Sequence, residues 1–255
     1  MPTFSRMTMA TATFTYLWIK RDIQATTMQL LTQNSDLRKS GIWGWTIPAH
    51  NITLTNGERF NTCPNAGICG AFCYAKNGTY LFPKVRAAHI AKLEMVLNDP
   101  MGWQTAMIWE LANKKYHNKF IRIHDAGDFF ADWYAELWIG VAVEHPDKTF
   151  YTYTKEVQLF NSLRAMGEIP SNFITIYSFG GKQDHLIDRN RDRHSDVFPD
   201  QQEMLAAGYV DIAEDDSLAA TSPNHRIGLY RNNIPQFVKK MGNRTFSQWQ
   251  DKTGK

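Results

Sequence analysis

Strand and helix patterns alternate along the middle of the chain, and this alternation limits the fold more than any other feature of the sequence. Phe120–His124, Thr149–Thr154 and Asn172–Phe179 are short runs rich in β-branched and aromatic residues, which is typical of strands. Apolar residues at helical spacing separate them, over Asp132–His145 and Glu156–Met166. Because a helix that joins two strands allows them to pair in parallel, the sequence predicts an α/β protein with mainly parallel strands.

The remaining segments decide between two α/β architectures. We expect a first strand at Asn51–Thr55 and a last strand at Tyr209–Ile212, with a loop over Gln183–Asp200 and helix from Ile227 onward. The resulting count is about five strand–helix units, fewer than the eight of a closed barrel. We therefore predict a partial or irregular (β/α) TIM-like barrel, with a doubly wound open sheet as the competing architecture.

The chain divides into three parts. Residues 1–40 are predicted to be an N-terminal extension with a helix near Ile23–Leu31, and residues 41–240 a single α/β barrel-like domain. Residues 241–255 are predicted to be a basic C-terminal tail. No apolar run approaches the roughly 20 residues of a membrane-spanning helix, and the N-terminus lacks the features of a secretory signal. We therefore expect no membrane partner and a cytoplasmic location.

All three cysteines of the 255-residue chain lie within eleven residues, at Cys63, Cys69 and Cys73. Their spacing is C-x5-C-x3-C, and glycines between them let a backbone wrap closely around an inserted group. Thiolates are soft ligands that suit iron–sulfur clusters or zinc. Three of them can hold three irons of a [4Fe-4S] cubane, which leaves the fourth iron open to a small-molecule ligand. Zinc would need a fourth ligand such as His50, His89 or His124, and simple packing of small apolar residues is the remaining interpretation.

Ionisable and polar residues follow three of the predicted strands, where ligands bind in parallel α/β folds. We predict that His124 and Asp125 transfer protons and that Lys155 holds a carboxylate or phosphate, which makes these three the candidate catalytic residues. Tyr153 and Ser178 are expected to contribute to a cofactor-binding surface at the same edge.

The alternation of side chains along the strand at Phe120 predicts which face each residue occupies. Ile121 and Ile123 share one face and should pack against helices. Arg122 and His124 share the other face and should point into the barrel.

The cysteine segment and the segment after the Phe120 strand resemble a phage and bacterial family labelled by gene-product number eighty-eight. The resemblance covers roughly residues 40–240. It rests on four segments, which are Cys63–Ala75, Phe82–Ala87, Ile121–Phe129 and Tyr151–Lys155. This resemblance implies no particular reaction, but it implies that these residues carry the common function.

More distantly, the order of the parts is similar to that of radical S-adenosylmethionine enzymes. Those enzymes carry three cysteines after their first barrel strand, and their next strand ends in a Gly-Gly-Glu-like motif that contacts the cofactor. The corresponding residues here are Ala126, Gly127 and Asp128, so the resemblance implies that they bind S-adenosylmethionine. The cysteine spacing of those enzymes is C-x3-C-x2-C, which is shorter than the spacing in this chain.

These observations lead to one leading prediction of function and two alternatives. The leading prediction is an iron–sulfur protein with an open iron facing the strand ends, acting as an enzyme on a small molecule. The first alternative is a non-catalytic phage protein in the host cytoplasm that acts on a host protein and uses the metal site as a structural element. The second is nucleic-acid modification, because the C-terminal segment is basic although the net charge is only +3, with cations at Lys239, Lys240, Arg244, Lys252 and Lys255.

Overall fold

A seven-stranded sheet with only parallel pairings forms the centre of the protein in a computed structural model, which describes residues 29–231 and 235–253. Its strands lie in the order β1-β4-β5-β6-β7-β9-β8. Their bounds are β1 Trp43–Trp45, β4 Phe120–Ile123, β5 Thr149–Thr154, β6 Phe173–Ser178, β7 His194–Phe198, β8 Val210–Asp211 and β9 Arg226–Tyr230. Two further strands, β2 Asn51–Thr53 and β3 Arg59–Asn61, form a separate antiparallel hairpin.

Ten α-helices connect and cover the strands within the described residues. Three of them begin at a proline, whose fixed φ angle suits the first turn of a helix. The helices are α1 Ser35–Lys39, α2 Ile68–Ala71, α3 Pro83–Asn98, α4 Pro100–Leu111, α5 Asp132–Glu144, α6 Val157–Ala165, α7 Gln201–Ala206, α8 Leu218–Thr221, α9 Pro235–Met241 and α10 Phe246–Thr253.

The two faces of the sheet have different partners. On one face, Trp45 of β1 packs against Trp103 of α4 and Trp138 of α5, and Ile123 of β4 is its register neighbour. Neighbouring parallel residues in register point to the same face. The helix-packing positions predicted for Ile121 and Ile123 are therefore confirmed.

The other face, which we call the inner face, carries Arg122 and Tyr151 in register. A hydrophobic cluster covers it, which includes Leu37 of α1, Ile212 and Ala219 of α8. The interior of the curled sheet is thus filled by side chains, as in other small barrels.

The sequence-based architecture is confirmed in its coarse form. The fold is mixed α/β, and the parallel sheet curls into a half-barrel that does not close within the described residues. Six strands follow chain order across the sheet, and only β8 departs from it. A doubly wound sheet would instead reverse direction near its centre.

The prediction that Asn51–Thr55 forms the first barrel strand is wrong. Asn51–Thr53 pairs with Arg59–Asn61 in the antiparallel hairpin, and Trp43–Trp45 is the first strand of the sheet. The Asn56-Gly57 turn reverses the chain at once, with Gly57 at φ +90°. Such a turn joins antiparallel strands, because a parallel neighbour requires a longer crossover.

Two strands were missed in the second half of the chain. His194–Phe198, expected to be loop, is β7, and Arg226–Tyr230, expected to be helix, is β9. The polar residues of β7 find distant partners, since Asp196 accepts a hydrogen bond from the Ser247 hydroxyl and His194 Nε2 lies 3.1 Å from Tyr209 Oη. These contacts offset the cost of burying the polar groups of β7. The same polar groups make the sequence of this segment resemble that of a loop.

The ends of the chain differ from the predicted three-part division where they are described. Within the predicted N-terminal extension, residues 35–39 form α1, and Leu37 packs into the inner face. Most of the helix predicted near Ile23–Leu31 lies outside the described residues. Residues 246–253 of the predicted tail form α10. None of the described helices is both long and apolar enough to cross a membrane.

Candidate functional site

The cysteine segment, residues 63–73, follows the β2–β3 hairpin, and we call it the cysteine loop. Thr62, at its start, is fully buried and donates to the Pro48 carbonyl at 2.6 Å. The backbone N–H of His50 points at Cys63 Sγ over 3.3 Å. The hairpin therefore fixes the first cysteine through backbone contacts on both sides.

The middle of the cysteine loop is attached to the segment after β6. Gly67 and Cys69 both donate their backbone N–H to the Gly180 carbonyl, at 3.1 and 3.0 Å. An isolated antiparallel bridge pairs Ala66 with Gly181. Gly180 has φ +96°, and a Cβ there would lie 3.0 Å from Phe246, so glycine is required.

Helix α10 packs on the outside of the cysteine loop. Gln250 Oε1 accepts the backbone N–H of Ile68 at 2.8 Å. Phe246 stacks on Phe72, and Cys69 packs against the same apolar cluster. The C-terminal segment is thus a structural part of the site, which the sequence analysis did not predict.

The three cysteines carry free thiols that are partly exposed. Burial, with a smaller contribution from Asp128, raises the pKa of the Cys63 thiol to about 12. Burial also raises the pKa of Cys73, with a further contribution from Cys69. In residues 29–231 and 235–253, no three His, Cys, Asp or Glu side chains are arranged to hold a metal ion.

Lys155, at the end of β5, is a buried cation beside the cysteine loop. Its Nζ donates to Ser178 Oγ at the end of β6, over 2.9 Å. Burial alone would lower the pKa of Lys155, but Cys69, Asp128 and other anionic groups outweigh burial and raise it. Two residues predicted separately, Lys155 and Ser178, are therefore brought into contact.

Asp128 lies in the same group but has its oxygens occupied. They accept from the Thr154 hydroxyl at 2.6 Å and from the backbone N–H groups of Phe129 and Lys155. Burial raises the pKa of Asp128, although these hydrogen bonds oppose the shift. Asp128 therefore joins β5 to the chain after β4, and it offers little hydrogen-bonding capacity to a ligand.

Ala126 and Gly127, the other residues predicted to bind cofactor, contact the segment that follows β1. The Ala126 carbonyl accepts the backbone N–H of Ile47. Gly127 has φ +85°, and a Cβ there would overlap the Ile47 side chain. Both residues pack closely against the segment after β1.

His124 does not join the other predicted catalytic residues. It has φ +64°, a left-handed conformation that turns its side chain to the helix side instead of the inner face. The Tyr134 hydroxyl accepts from the Trp45 indole N–H and lies 3.0 Å from His124 Nε2. Burial lowers the pKa of His124 to about 3, which keeps the ring neutral.

Asp125 and Arg122 form a second group, on the inner face. Arg122 lies 3.5 Å from the Asp125 carboxylate and 3.1 Å from that of Asp216. Its guanidinium also lies over the Tyr153 ring, 5.2 Å from the centroid. The Tyr153 hydroxyl is buried with no hydrogen-bond partner in the described residues. Asp216 was missed in the sequence because it follows β8 among other acidic residues.

The Asp125 group borders a cavity of about 570 Å³ at the ends of β1 and β4. The Tyr80 hydroxyl donates to the Asp125 carboxylate at 2.6 Å, and the Tyr74 hydroxyl donates to its backbone carbonyl. Tyr74 directly follows Cys73, so the cavity adjoins the cysteine loop. Asp125 is therefore separate from Lys155, although both lie at strand ends.

Several cations that the sequence analysis did not connect to the cysteines also contact the cysteine loop. The ammonium groups of Lys76, Lys182 and Lys240 donate to its backbone carbonyls, at Gly70, Pro64 and Ala71. No local pattern signals the contacts of Lys182 and Lys240, which come from distant parts of the chain, whereas Lys76 lies only three residues after Cys73.

These features define a class of α/β protein in which an open parallel half-barrel carries a three-cysteine loop at the carboxyl ends of its strands. The chain belongs to the Gene product 88 family, whose sequence model matches residues 21–254. The predicted family relationship is thereby confirmed.

Two curated relatives are bacteriophage proteins, in agreement with the predicted phage connection. The Gene 88 protein of Mycobacterium phage L5 is 30% identical over 115 residues, and that of Mycobacterium phage D29 is 28% identical over 115 residues. Each alignment covers 42% of this chain and 48% of the relative, so the chain matches about half the length of each. No solved structure matches the chain.

Proposed function

We propose that this protein is an iron–sulfur protein in which Cys63, Cys69 and Cys73 hold a [4Fe-4S] cluster. Three thiolates would leave one iron open to a ligand, and Lys155 and Ser178 at the neighbouring strand ends would contact that ligand. We expect the ligand at that iron to be a small molecule. The protein would then be an enzyme built on an incomplete barrel.

The observation that carries the proposal is the cationic setting of the three thiols. Lys155 is only 8% exposed, and negative charge on Cys69 or Cys63 would favour its charged form, as Asp128 and Asp184 do. A buried ammonium is costly unless an anionic group compensates it. A cluster with three thiolates supplies such an anionic group.

The surface of the cysteine loop supports the same conclusion. Lys76, Lys182 and Lys240 direct their ammonium groups at its carbonyls, and no carboxylate within the described residues forms an ion pair with any of them. Positive charge on several sides lowers the free energy of an anionic centre inside the loop.

The thiols need a metal to become ligands. With its pKa near 12, Cys63 is protonated at neutral pH, so metal binding must displace a proton. Because the three thiols do not form a ligand group as they stand, their side chains must also turn toward a common point. The two ends of the cysteine loop are anchored, and its glycines permit that adjustment.

S-adenosylmethionine is our proposed small-molecule ligand, on the basis of the order of the parts. The cysteine loop follows β1, and the neighbouring strand β4 is followed by Ala126, Gly127 and Asp128. When bound, a reduced cluster with an open iron supplies an electron to such a ligand. Because the Asp128 oxygens are occupied, we assign polar contact with the ligand to Lys155 and Ser178.

A structural zinc site is the second candidate, favoured by the position of His50. Its ring lies close to Gly70, where a Cβ would be 3.2 Å from His50 Nε2. His50 can therefore complete a Cys3His set without a large movement of the chain. His124, another predicted zinc ligand, is buried on the helix side of the sheet.

Metal analysis of anaerobically purified protein separates the two candidates. The proposal predicts iron and sulfide near four of each per chain, broad visible absorbance, and loss of both in Cys63→Ala, Cys69→Ala and Cys73→Ala. Addition of S-adenosylmethionine should then change the electron paramagnetic resonance spectrum of the reduced protein. A colourless protein with one zinc per chain would overturn the iron–sulfur proposal and support the His50 site.

A further inference from the structure

The turn between α9 and α10 lines a second cavity, which is open to the surface and has a volume of about 560 Å³. Its lining includes Lys239, Lys240, Arg244 and Trp249, and no acidic side chain. A cavity with this lining favours an anionic ligand.

The positive charge of this cavity is not neutralised by ion pairs within residues 29–231 and 235–253. Lys239 and Arg244 are exposed, and neither forms an ion pair with a carboxylate in the described part of the chain. Elsewhere the pattern differs, since Arg122 contacts Asp216 and Lys148 contacts Asp147. The charges of this turn are therefore available to an external partner.

Trp249 gives the cavity an aromatic surface. Its indole N–H donates to the Met241 carbonyl at 2.7 Å, and its ring lies 6.0 Å from Phe72, so its position is held from two sides. Arg244 and Lys252 lie over the ring, at 5.0 and 5.7 Å from its centroid. A half-buried ring flanked by cations is an arrangement that binds an unpaired base together with its phosphates.

The positive surface continues from this cavity to the cysteine loop. Lys240 lines the cavity and also donates to the Ala71 carbonyl. Near the start of the same loop, Lys182 donates to the Pro64 carbonyl. A chain of phosphates that begins at α10 therefore meets further ammonium groups along the loop.

We propose that this surface binds single-stranded nucleic acid. The phosphodiester groups contact Lys239, Arg244 and Lys252, a base packs against Trp249, and the strand continues over the cysteine loop. Single strands are favoured over duplexes because base stacking on Trp249 requires an unpaired base. The proposal does not depend on which metal the cysteine loop holds.

Fluorescence anisotropy with labelled single strands of about 20 nucleotides tests the proposal on the full chain as purified. Binding should weaken between about 50 and 200 mM salt, because each phosphate contact adds about 0.7 to the slope of log K against log salt. Lys239→Gln/Arg244→Gln should lower that slope by about 1.4 and the affinity by about tenfold or more. Trp249→Leu should cost about tenfold.

The matched control removes two charges at the other end of the sheet. Lys114 and Lys119 are exposed and precede β4, so Lys114→Gln/Lys119→Gln gives the same net charge as the test variant. This control should bind as tightly as the unmodified protein. Equal weakening by both double variants would overturn the proposed site, and so would an absence of binding at low salt.

Competitors distinguish the sources of phosphate. Inorganic phosphate and duplex of the same length should displace the labelled strand poorly. Displacement by inorganic phosphate at the same phosphate concentration would show a simple anion site, and equal displacement by duplex would show that Trp249 does not read an unpaired base. Either result would overturn the proposal and leave the iron–sulfur proposal intact.

Discussion

The ammonium nitrogen of Lys155 lies 2.9 Å from the hydroxyl oxygen of Ser178, at the adjacent ends of β5 and β6. Ser178 is the hydrogen-bond partner of this ammonium in the structure, and the carboxylates of Asp128 and Asp184 supply negative charge around it. A lysine so placed is held charged by its surroundings. It therefore links the strand ends to the cysteine loop.

Removing this charge should weaken metal binding. For the proposed iron–sulfur cluster, we expect Lys155→Met to bind it less tightly by about 1 kcal/mol or more, equivalent to about fivefold, because an anionic centre would lose its buried counter-charge. The measurement is iron per chain during titration with a chelator. Lys148→Met is the control, since Lys148 is equally buried but precedes β5. Equal iron loss in both variants would mean that general destabilisation, not the charge of Lys155, is responsible.

Gly127 should be far more sensitive to substitution than another glycine of similar conformation. Gly127→Ala combines φ +85° with an overlap on Ile47 and should cost about 3 kcal/mol or more of unfolding free energy. Gly57→Ala meets nothing within 4 Å at φ +90° and should cost only about 1 kcal/mol. Urea unfolding measures both variants. Similar losses would show that backbone conformation alone accounts for the effect.

Acid should destabilise the protein partly through His124. Its pKa in the folded protein is about 3, below the ordinary value of 6.5, so between these values the unfolded chain binds a proton that the folded chain does not. Stability therefore falls as pH falls through this window, by up to about 1.4 kcal/mol per pH unit.

The variant His124→Asn isolates this contribution, because asparagine tolerates a left-handed backbone. Between pH 7 and pH 5, the unmodified protein should lose about 2 kcal/mol more unfolding free energy than the variant. Urea unfolding at the two pH values gives the comparison. Parallel pH dependence of the two proteins would contradict the buried neutral state of His124.

The contact between Gln250 and Ile68 should stabilise the docking of α10 on the cysteine loop. Gln250→Ala leaves the Ile68 N–H without its acceptor and should cost about 1 kcal/mol. Hydrogen exchange at Ile68 and its neighbours should accelerate. Asp251→Ala, at an exposed position of the same helix, should change neither quantity. Unchanged exchange in Gln250→Ala would indicate that the apolar cluster alone holds α10.

The parts of the fold that the sequence predicts are those in which the local pattern of apolar and polar residues agrees with their burial in the folded protein. The strands at Phe120, Thr149 and Phe173 were visible because their alternating residues pack on two faces of one sheet. β7 was not visible, because the burial of Asp196 depends on Ser247, a residue 51 positions away. Sequence spacing carries no information about such a partner.

The candidate site divides in the same way. The three cysteines stand out by spacing alone, and the meeting of Lys155 with Ser178 follows from the parallel pairing of β5 with β6. His124 was misplaced, because strand alternation applies only while the backbone stays extended, and its φ of +64° ends that regularity. Gln250 and Lys240 could not be assigned to the site from local sequence.

By itself, therefore, the sequence determined a parallel α/β sheet and one segment that contains all three cysteines. Both depend on short stretches of sequence. The sheet depends on the alternation of side chains along each strand, and the segment is recognised by the spacing of its three thiols. Only the tertiary structure decided what surrounds those thiols. Charges act through space, so Lys155, Lys182 and Lys240 became neighbours of the cysteine loop only when the strands and the C-terminal segment packed together.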